Sequence, residues 1–247
     1  MINENKNIEP ILMIKDLKKS FGTNHVLNGF NMELFDGENL VVMGKSGSGK
    51  SVMIKCIVGL IQPDSGSIEI MGKDIMKLDH NELDFLRTDI GFLFQGSALY
   101  DSMTVRENLE FPLRIHKEKL KKKDELVMEA LESVGLIHAI DLMPSELSGG
   151  MKRRVALARA IILQPDIIIY DEPTTGLDPI TAKEIIELMR EIQLKHGSSS
   201  LIITHDVDCA RVISNRMILL IDGINYAEGT FKELLSLKDK KVRAFFK

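Results

Sequence analysis

Between Asn39 and Ser51 an apolar run, Leu40-Val-Val-Met43, gives way abruptly to Gly44-Lys-Ser-Gly-Ser-Gly-Lys50-Ser51. No other stretch restricts the fold as much. The run suits a strand covered on both faces, which is the habit of parallel sheets. Glycine costs more backbone entropy to fix than any other residue, so three of them beside a core weaken it unless something repays the ordering. The spacing G-x-x-x-x-G-K-[ST] names that compensation. Glycines let successive amides point into one concavity with positive partial charge, and the helix predicted over "SVMIKCIVGL" adds its N-terminal donors. Lys50 then supplies a point charge for β/γ phosphates, and Ser51 a hydroxyl for Mg²⁺.

The rest of the chain fits around that unit. Strands are expected at Ile11–Ile14, Val26–Leu34, Asn39–Met43, Ser67–Met71, Ile90–Phe94, Ile167–Tyr170, Ser200–Thr204 and Met217–Ile221. Those at 39–43, 167–170 and 200–204 are nearly all apolar, and helical patterns lie between them, so βαβ units with a parallel centre follow. The first strands alternate and carry turn residues such as Asp36-Gly37, which suggests a separate antiparallel layer. From Phe94 to Pro165 helical signals take over, at Val105–Leu113, Lys117–Ser133 and Gly149–Leu163, as in a helical lobe inserted into the core. The charge run "KEKLKKKDE" (117–125) reads as a solvated helix face with pairs such as Glu118 and Lys122.

Composition narrows the classes. The chain has 247 residues, 44% hydrophobic, and a formal charge of -4, so no global basic field recruits nucleic acid. Its apolar runs fall short of the roughly 20 residues that cross a bilayer, and "MINENKNIEP" does not read as a signal peptide. The two cysteines, Cys56 and Cys209, are expected as reduced, buried thiols.

Two further strand ends carry acids and a base. "IIIYDEP" projects Asp171 and Glu172 from the edge where open α/β sheets bind ligands. Asp171 suits Mg²⁺, and Glu172 suits the orientation and deprotonation of an attacking water. "SLIITHD" delivers His205, a donor near a γ-phosphate or else a structural strand-end histidine. Gln95 ends "IGFLFQ", within reach of metal and water. In "ELSGGMKRRVALARAI", Ser148 opens a helix as an N-cap, yet Gly149-Gly150 also bares amides for a second anion site.

Taken together, "GKSGSGKS", "FQ", "LSGGM", "IIIYDEPTTGLDP" and "ITHD", in this order, resemble the nucleotide-binding subunit of ABC transporters. The resemblance covers nearly the whole chain. It implies an α/β fold, namely a P-loop NTPase core with a parallel central sheet, an antiparallel β layer at the N-terminus and an inserted helical lobe. A single ABC ATPase domain would span 1–247, with the core at 1–94 and 165–247 and the helical subdomain at about 95–164. It also implies ATP and Mg²⁺, and a homodimer in which each signature segment caps the partner's nucleotide. By resemblance, Gly44, Lys45, Ser46, Gly47, Ser48, Gly49, Lys50 and Ser51 form the Walker A loop, Asp171 closes Walker B, and Glu172 is the catalytic base. Gln95 is then the Q-loop, Ser148, Gly149 and Gly150 the signature acting in trans, Thr175 to Asp178 the D-loop, and His205 the switch histidine. Phe21, in "KKSFG", matches the aromatic that stacks on adenine. Two departures stand out: Met151 replaces the usual Gln of the signature, and the D-loop reads Thr-Gly-Leu-Asp in place of Ser-Ala-Leu-Asp.

Within the family, "FQGSALYDSMTVRENLEFPLR", the Met after Ser-Gly-Gly and the ending "LKDKKVRAFFK" are similar to ATPases of Mla/Mce phospholipid-transport systems. That similarity implies a transmembrane permease docking near residues 95–106, with Leu99, Tyr100, Met103 and Val105 as the groove or in part as core. It further implies a Mce-domain protein, a small regulatory subunit, and a place at the cytoplasmic face of the inner membrane. A transporter for an amino acid, ion or drug is the alternative. The Phe245-Phe246 tail either contacts a partner or frays. A plain P-loop kinase leaves Ser148-Gly-Gly unused, and a single cassette of negative charge does not suit DNA repair or ribosome work.

Overall fold

In the computed structural model, residues 9–246 are described. Residues 1–8, most of the segment judged not to be a signal peptide, and Lys247 of the tail motif lie outside the described residues.

Two sheets divide the strands. β1 (Leu12–Phe21), β2 (Asn24–Leu34), β4 (Ser65–Ile70) and β5 (Lys73–Asp74) form an antiparallel layer in the order β2-β1-β4-β5. The central sheet runs β10-β9-β3-β8-β7-β6, from β3 (Asn39–Met43), β6 (Ile90–Leu93), β7 (Ile167–Asp171), β8 (Ser199–Thr204), β9 (Arg216–Ile221) and β10 (Ile224–Gly229). Its pairs are parallel except for β9 with β10.

The unbroken apolar run of β3 has a direct cause. Leu40 and Val42 enter one core with Leu12, Ile14 and Phe30 of the antiparallel layer and with Met53 and Ile57 of α1 (Lys50–Ile57). Val41 and Met43 point the other way, into a second core. That core is shared with α7 (Pro179–His196), α8 (Val207–Ile213) and the helices between Leu93 and Ile167. A sheet sandwiched in this manner has no polar face, and each fully buried Leu or Ile contributes about 1.5–3 kcal/mol.

After α2 (His80–Arg87) and β6, the described residues up to β7 carry only helices and turns. α3 (Val105–Leu113) starts on a capping box, with Thr104 and Glu107 each accepting the other's backbone amide. Asn108, fully buried on α3, accepts from the Tyr100 amide at 2.8 Å and donates to the Tyr100, Met103 and Thr104 carbonyls, which fixes the turn ahead of the helix. The expected helix at 117–133 is two, α4 (Lys117–Lys121) and α5 (Lys123–Ser133), because Lys122 leaves helical geometry at φ -104°. Glu118 consequently pairs with Lys121 at 2.7 Å and not with Lys122. α6 (Gly149–Ile161) crosses beneath, and α9 (Phe231–Ser236) and α10 (Lys240–Arg243) close the chain. Both cysteines are free and buried.

Candidate active site

The phosphate loop leaves β3 at Gly44 and enters α1 at Lys50. Gly49, at φ 103°, is the N-cap of α1, and a Cβ there would stand 3.0 Å from the Val26 carbonyl and 3.1 Å from its side chain. Only glycine turns this corner. No side chain caps α1, so its first amides stay available to an anion. The Lys50 ammonium bends back over the loop, donating to the Gly44 carbonyl at 2.6 Å and the Lys45 carbonyl at 3.1 Å. Burial holds its pKa below the usual lysine range, against the pull of Glu172 and Asp171.

The two acids stand at the end of β7. Asp171 still pairs with β8, and burial, with Glu172 beside it, pushes its carboxyl above the ordinary range while Lys50 and Lys55 work against that. Glu172 takes a left-handed φ of 51°, yet its amide donates to the Ile203 carbonyl at 2.8 Å. Such strain in a non-glycine residue persists only where neighbours enforce it. Here they do. Glu172 Oε2 lies 2.8 Å from His205 Nδ1 and accepts the Thr175 hydroxyl at 3.1 Å, and Oε1 lies 3.9 Å from Lys50 Nζ. A parallel link joins Thr174 to Asp206 at 2.9 Å, and Asp206 caps α8 through the Asp208 and Cys209 amides. The His205 ring itself remains open to solvent, at 64% side-chain exposure.

These groups share one cavity of about 650 Å³ at the C-terminal edge of the parallel strands. Gly44, Lys45, Ser46, Gly47, Gly49, Lys50 and Ser51 line it, as do Gln95, Asp171, Glu172, His205 and the half-exposed Phe21. Ser48 faces a neighbouring cavity instead, its hydroxyl buried without a hydrogen-bond partner. Ser148, Gly149, Gly150 and Asp178 do not line the cavity. Ser148 caps α6 through the Met151 amide at 3.2 Å, and beside it Gly149 has open space where a Cβ would be. Asp178 caps α7 and receives the Thr181 hydroxyl at 2.6 Å, which with the Thr181 amide keeps its carboxyl below the usual range. A Cβ on Gly150 would fall 2.8 Å from Thr181 Cγ2, so the starts of α6 and α7 abut.

Sequence reasoning overlooked what braces Gln95. Arg153, almost wholly buried on α6, donates to the Phe94 carbonyl at 2.7 Å, the Gln95 carbonyl at 2.6 Å and the Thr175 carbonyl at 3.3 Å, and burial lowers its pKa. Arg159 donates to the Ser97 and Ala98 carbonyls at 3.0 and 2.8 Å, where both residues have positive φ. The Phe94, Gln95, Ser97 and Ala98 carbonyls lie about sixty residues away in sequence and that of Thr175 lies 22 away, so nothing local points to them. The residues expected as groove or in part as core divide accordingly. Val105 is fully buried and Leu99 packs on the core, whereas Phe94, Tyr100 and Ile115 are exposed around a cavity of about 640 Å³ shared with Phe92 and Phe111.

A family profile described as ABC transporter matches residues 27–175. The chain is 40% identical over 220 residues to the methionine import ATP-binding protein MetN of Brucella abortus (strain 2308), which covers 89% of this chain but 60% of that protein. It therefore spans about 60% of the length of such curated relatives. To the intermembrane phospholipid transport system ATP-binding protein MlaF of Haemophilus influenzae it is 38% identical over 240 residues, or 96% of this chain and 90% of that one. Among solved structures, an ATP-binding cassette in a dimeric post-hydrolysis state with ADP and Pi superposes with a TM-score of 0.80 at 33% identity, covering 89% of this chain and 98% of its own.

Proposed function

This chain belongs to the ABC transporter family and has the ABC ATPase fold, and on that premise we propose that it binds and hydrolyses ATP as the motor subunit of a transporter that moves phospholipid. The observation that carries the reading is the single cavity into which the phosphate loop, both acids, Gln95, His205 and Phe21 converge. Residues 1–247 are then one ABC ATPase domain, core 1–94 and 165–247, helical part about 95–164.

The donor set suits Mg²⁺. Ser51, Asp171 and Gln95 offer hard oxygens in one cavity, and among the described residues no cluster of three or more His, Cys, Asp or Glu competes as a metal cage. When bound, Mg²⁺ neutralises charge on the phosphate oxygens. Lys50 and the loop amides hold the phosphates. Glu172 orients the attacking water and takes its proton through Oε1, because Oε2 is engaged by His205 and Thr175. His205, tied to Glu172 and open to the cavity, stands where charge develops on the γ-phosphate.

The signature amides sit outside their own cavity, which supports a homodimer in which Ser148, Gly149 and Gly150, with Asp178 nearby, meet the partner's nucleotide. Docking of a transmembrane permease, a helix in a groove, near residues 95–106 is supported by the exposed aromatic groove that takes in Ala98 and Tyr100 from that segment. The protein then works peripherally at the cytoplasmic face of the inner membrane. Among the described residues no helix is long and apolar enough to cross a membrane. A Mce-domain protein and a small regulatory subunit complete the assembly, with no nucleic acid.

The phospholipid reading is supported by the nearly end-to-end match to MlaF, and an amino-acid importer by the 40% identity to MetN. Deleting the gene separates them. The expected result is altered phospholipid distribution between membranes with methionine uptake unchanged; lost methionine uptake with normal lipid selects the other reading.

A further inference from the structure

One wall of the nucleotide cavity comes from the tail segment, to which the sequence reading gives no part in nucleotide binding. Ala244 and Phe245 line it alongside Phe21, Val26 and Lys50. They are brought there by the way α10 is pinned. Asp239 caps α10, accepting from the Lys241 and Val242 amides at 2.8 and 3.0 Å, and its other oxygen accepts the Tyr226 hydroxyl at 3.0 Å. Lys241 reaches Asp222, in the turn between β9 and β10, at 2.8 Å. Val242 is buried in the core, and Phe246 meets Phe231 edge-on with ring centroids 5.4 Å apart. Phe245 lies between these two fixed points, half-buried, and borders the cavities on both sides of residues 45–47. Residues 239–246 are therefore docked on the core.

The cavity divides by chemistry. Its charged and amide-rich end, around Lys50, Asp171 and Glu172, suits phosphates and their cation. Phe21, Val26, Ala244 and Phe245 make up an apolar remainder that offers no side-chain partner to a phosphate. An aromatic face suits a nucleobase of any kind, because every base has a π-face. We propose that Phe245 is a nucleotide-binding residue, forming with Phe21 the wall that receives the base-and-ribose end of a purine nucleotide. This rests on reading the cavity as a nucleotide site. The wall reads the ring face and not the base edge, so ATP and GTP are accepted alike.

The chain contains no tryptophan, so Phe245→Trp installs a lone indole in the full-length protein. Its emission should change on titration with ATP or GTP in Mg²⁺, and not with inorganic tripolyphosphate, although tripolyphosphate competes for the loop. Phe245→Ala should weaken ATP about tenfold, in line with the loss of one base–aromatic stack, while tripolyphosphate affinity holds and Phe245→Tyr restores ATP binding. ATP affinity within twofold of wild type in Phe245→Ala, tighter binding, or an equal loss for ATP and tripolyphosphate would overturn the assignment. An indole indifferent to ATP that calorimetry shows to be bound would do the same. Wild-type protein that binds no ATP, and does not differ from Lys50→Ala, would instead sink the nucleotide reading itself.

Discussion

α1 and α6 begin in the same manner, with glycine at or beside the N-cap and amides free of acidic neighbours in the first turn, but their surroundings differ. Around the start of α1 the chain gathers a lysine, two carboxylates, a histidine and an aromatic ring. Around the start of α6 it supplies a serine bonded to its own helix and a glycine facing open space. The first anion-holding end is furnished from within; the second has donors and no complementary chemistry of its own. On the reading proposed above, a site split in this way is pre-organised for binding by one protomer and completed by a second copy.

That contrast can be broken most sharply at Glu172. Glu172→Gln leaves the phosphate loop whole, so ATP should still bind, hydrolysis should fall by about 10²–10⁴, and an ATP-bound dimer should accumulate on gel filtration. A variant hydrolysing at the wild-type rate removes Glu172 from the base role. Ser148→Arg probes the outward end. Groups supplied in trans to phosphoryl transfer are worth up to about 10³–10⁵ in rate, so a loss of about tenfold or more is expected. Protomer affinity for ATP, measured by calorimetry, should stay unchanged. A loss below about threefold would mean that the two ends do not meet. The smallest effect concerns the packing behind the furnished end. Burial pushes the Cys209 thiol up to about 12 and raises that of Cys56. The thiolate is the reactive form, and burial keeps Cys209 in the thiol form at pH 8. Native protein should take up no maleimide within minutes, while urea-unfolded protein labels at both cysteines by mass spectrometry. Native labelling of Cys209 would show that the region behind Glu172 is open.

Much of this was readable in advance where the determining contacts are local. β3 and α3 have the predicted bounds because an all-apolar run and a Thr-x-x-Glu box each define their own limits. β1 runs on to Phe21, well past Ile14, because Asp16 adopts φ 47° and the register with β2 shifts there, so the alternation that marks a strand is lost midway. β10 went unpredicted since an edge strand reading "INYAEG" needs no apolar face of its own. The site shows the same division. Its loop, acids and histidine lie at strand ends that spacing alone can mark. Arg153 and Phe245 meet partners brought by distant segments, and only the fold discloses them.

Arg153 carries one further consequence. Its guanidinium is buried with carbonyls of the Gln95 and Thr175 segments as acceptors, and each hydrogen bond from a charged group is worth about 1.5–3 kcal/mol. Withdrawing one segment alone would leave part of a buried cation without acceptors, so the groove-facing turn, α6 and the loop after Glu172 are tied at one point. The Phe94 carbonyl and the residue whose hydroxyl restrains the Glu172 carboxylate thus hang on the same side chain.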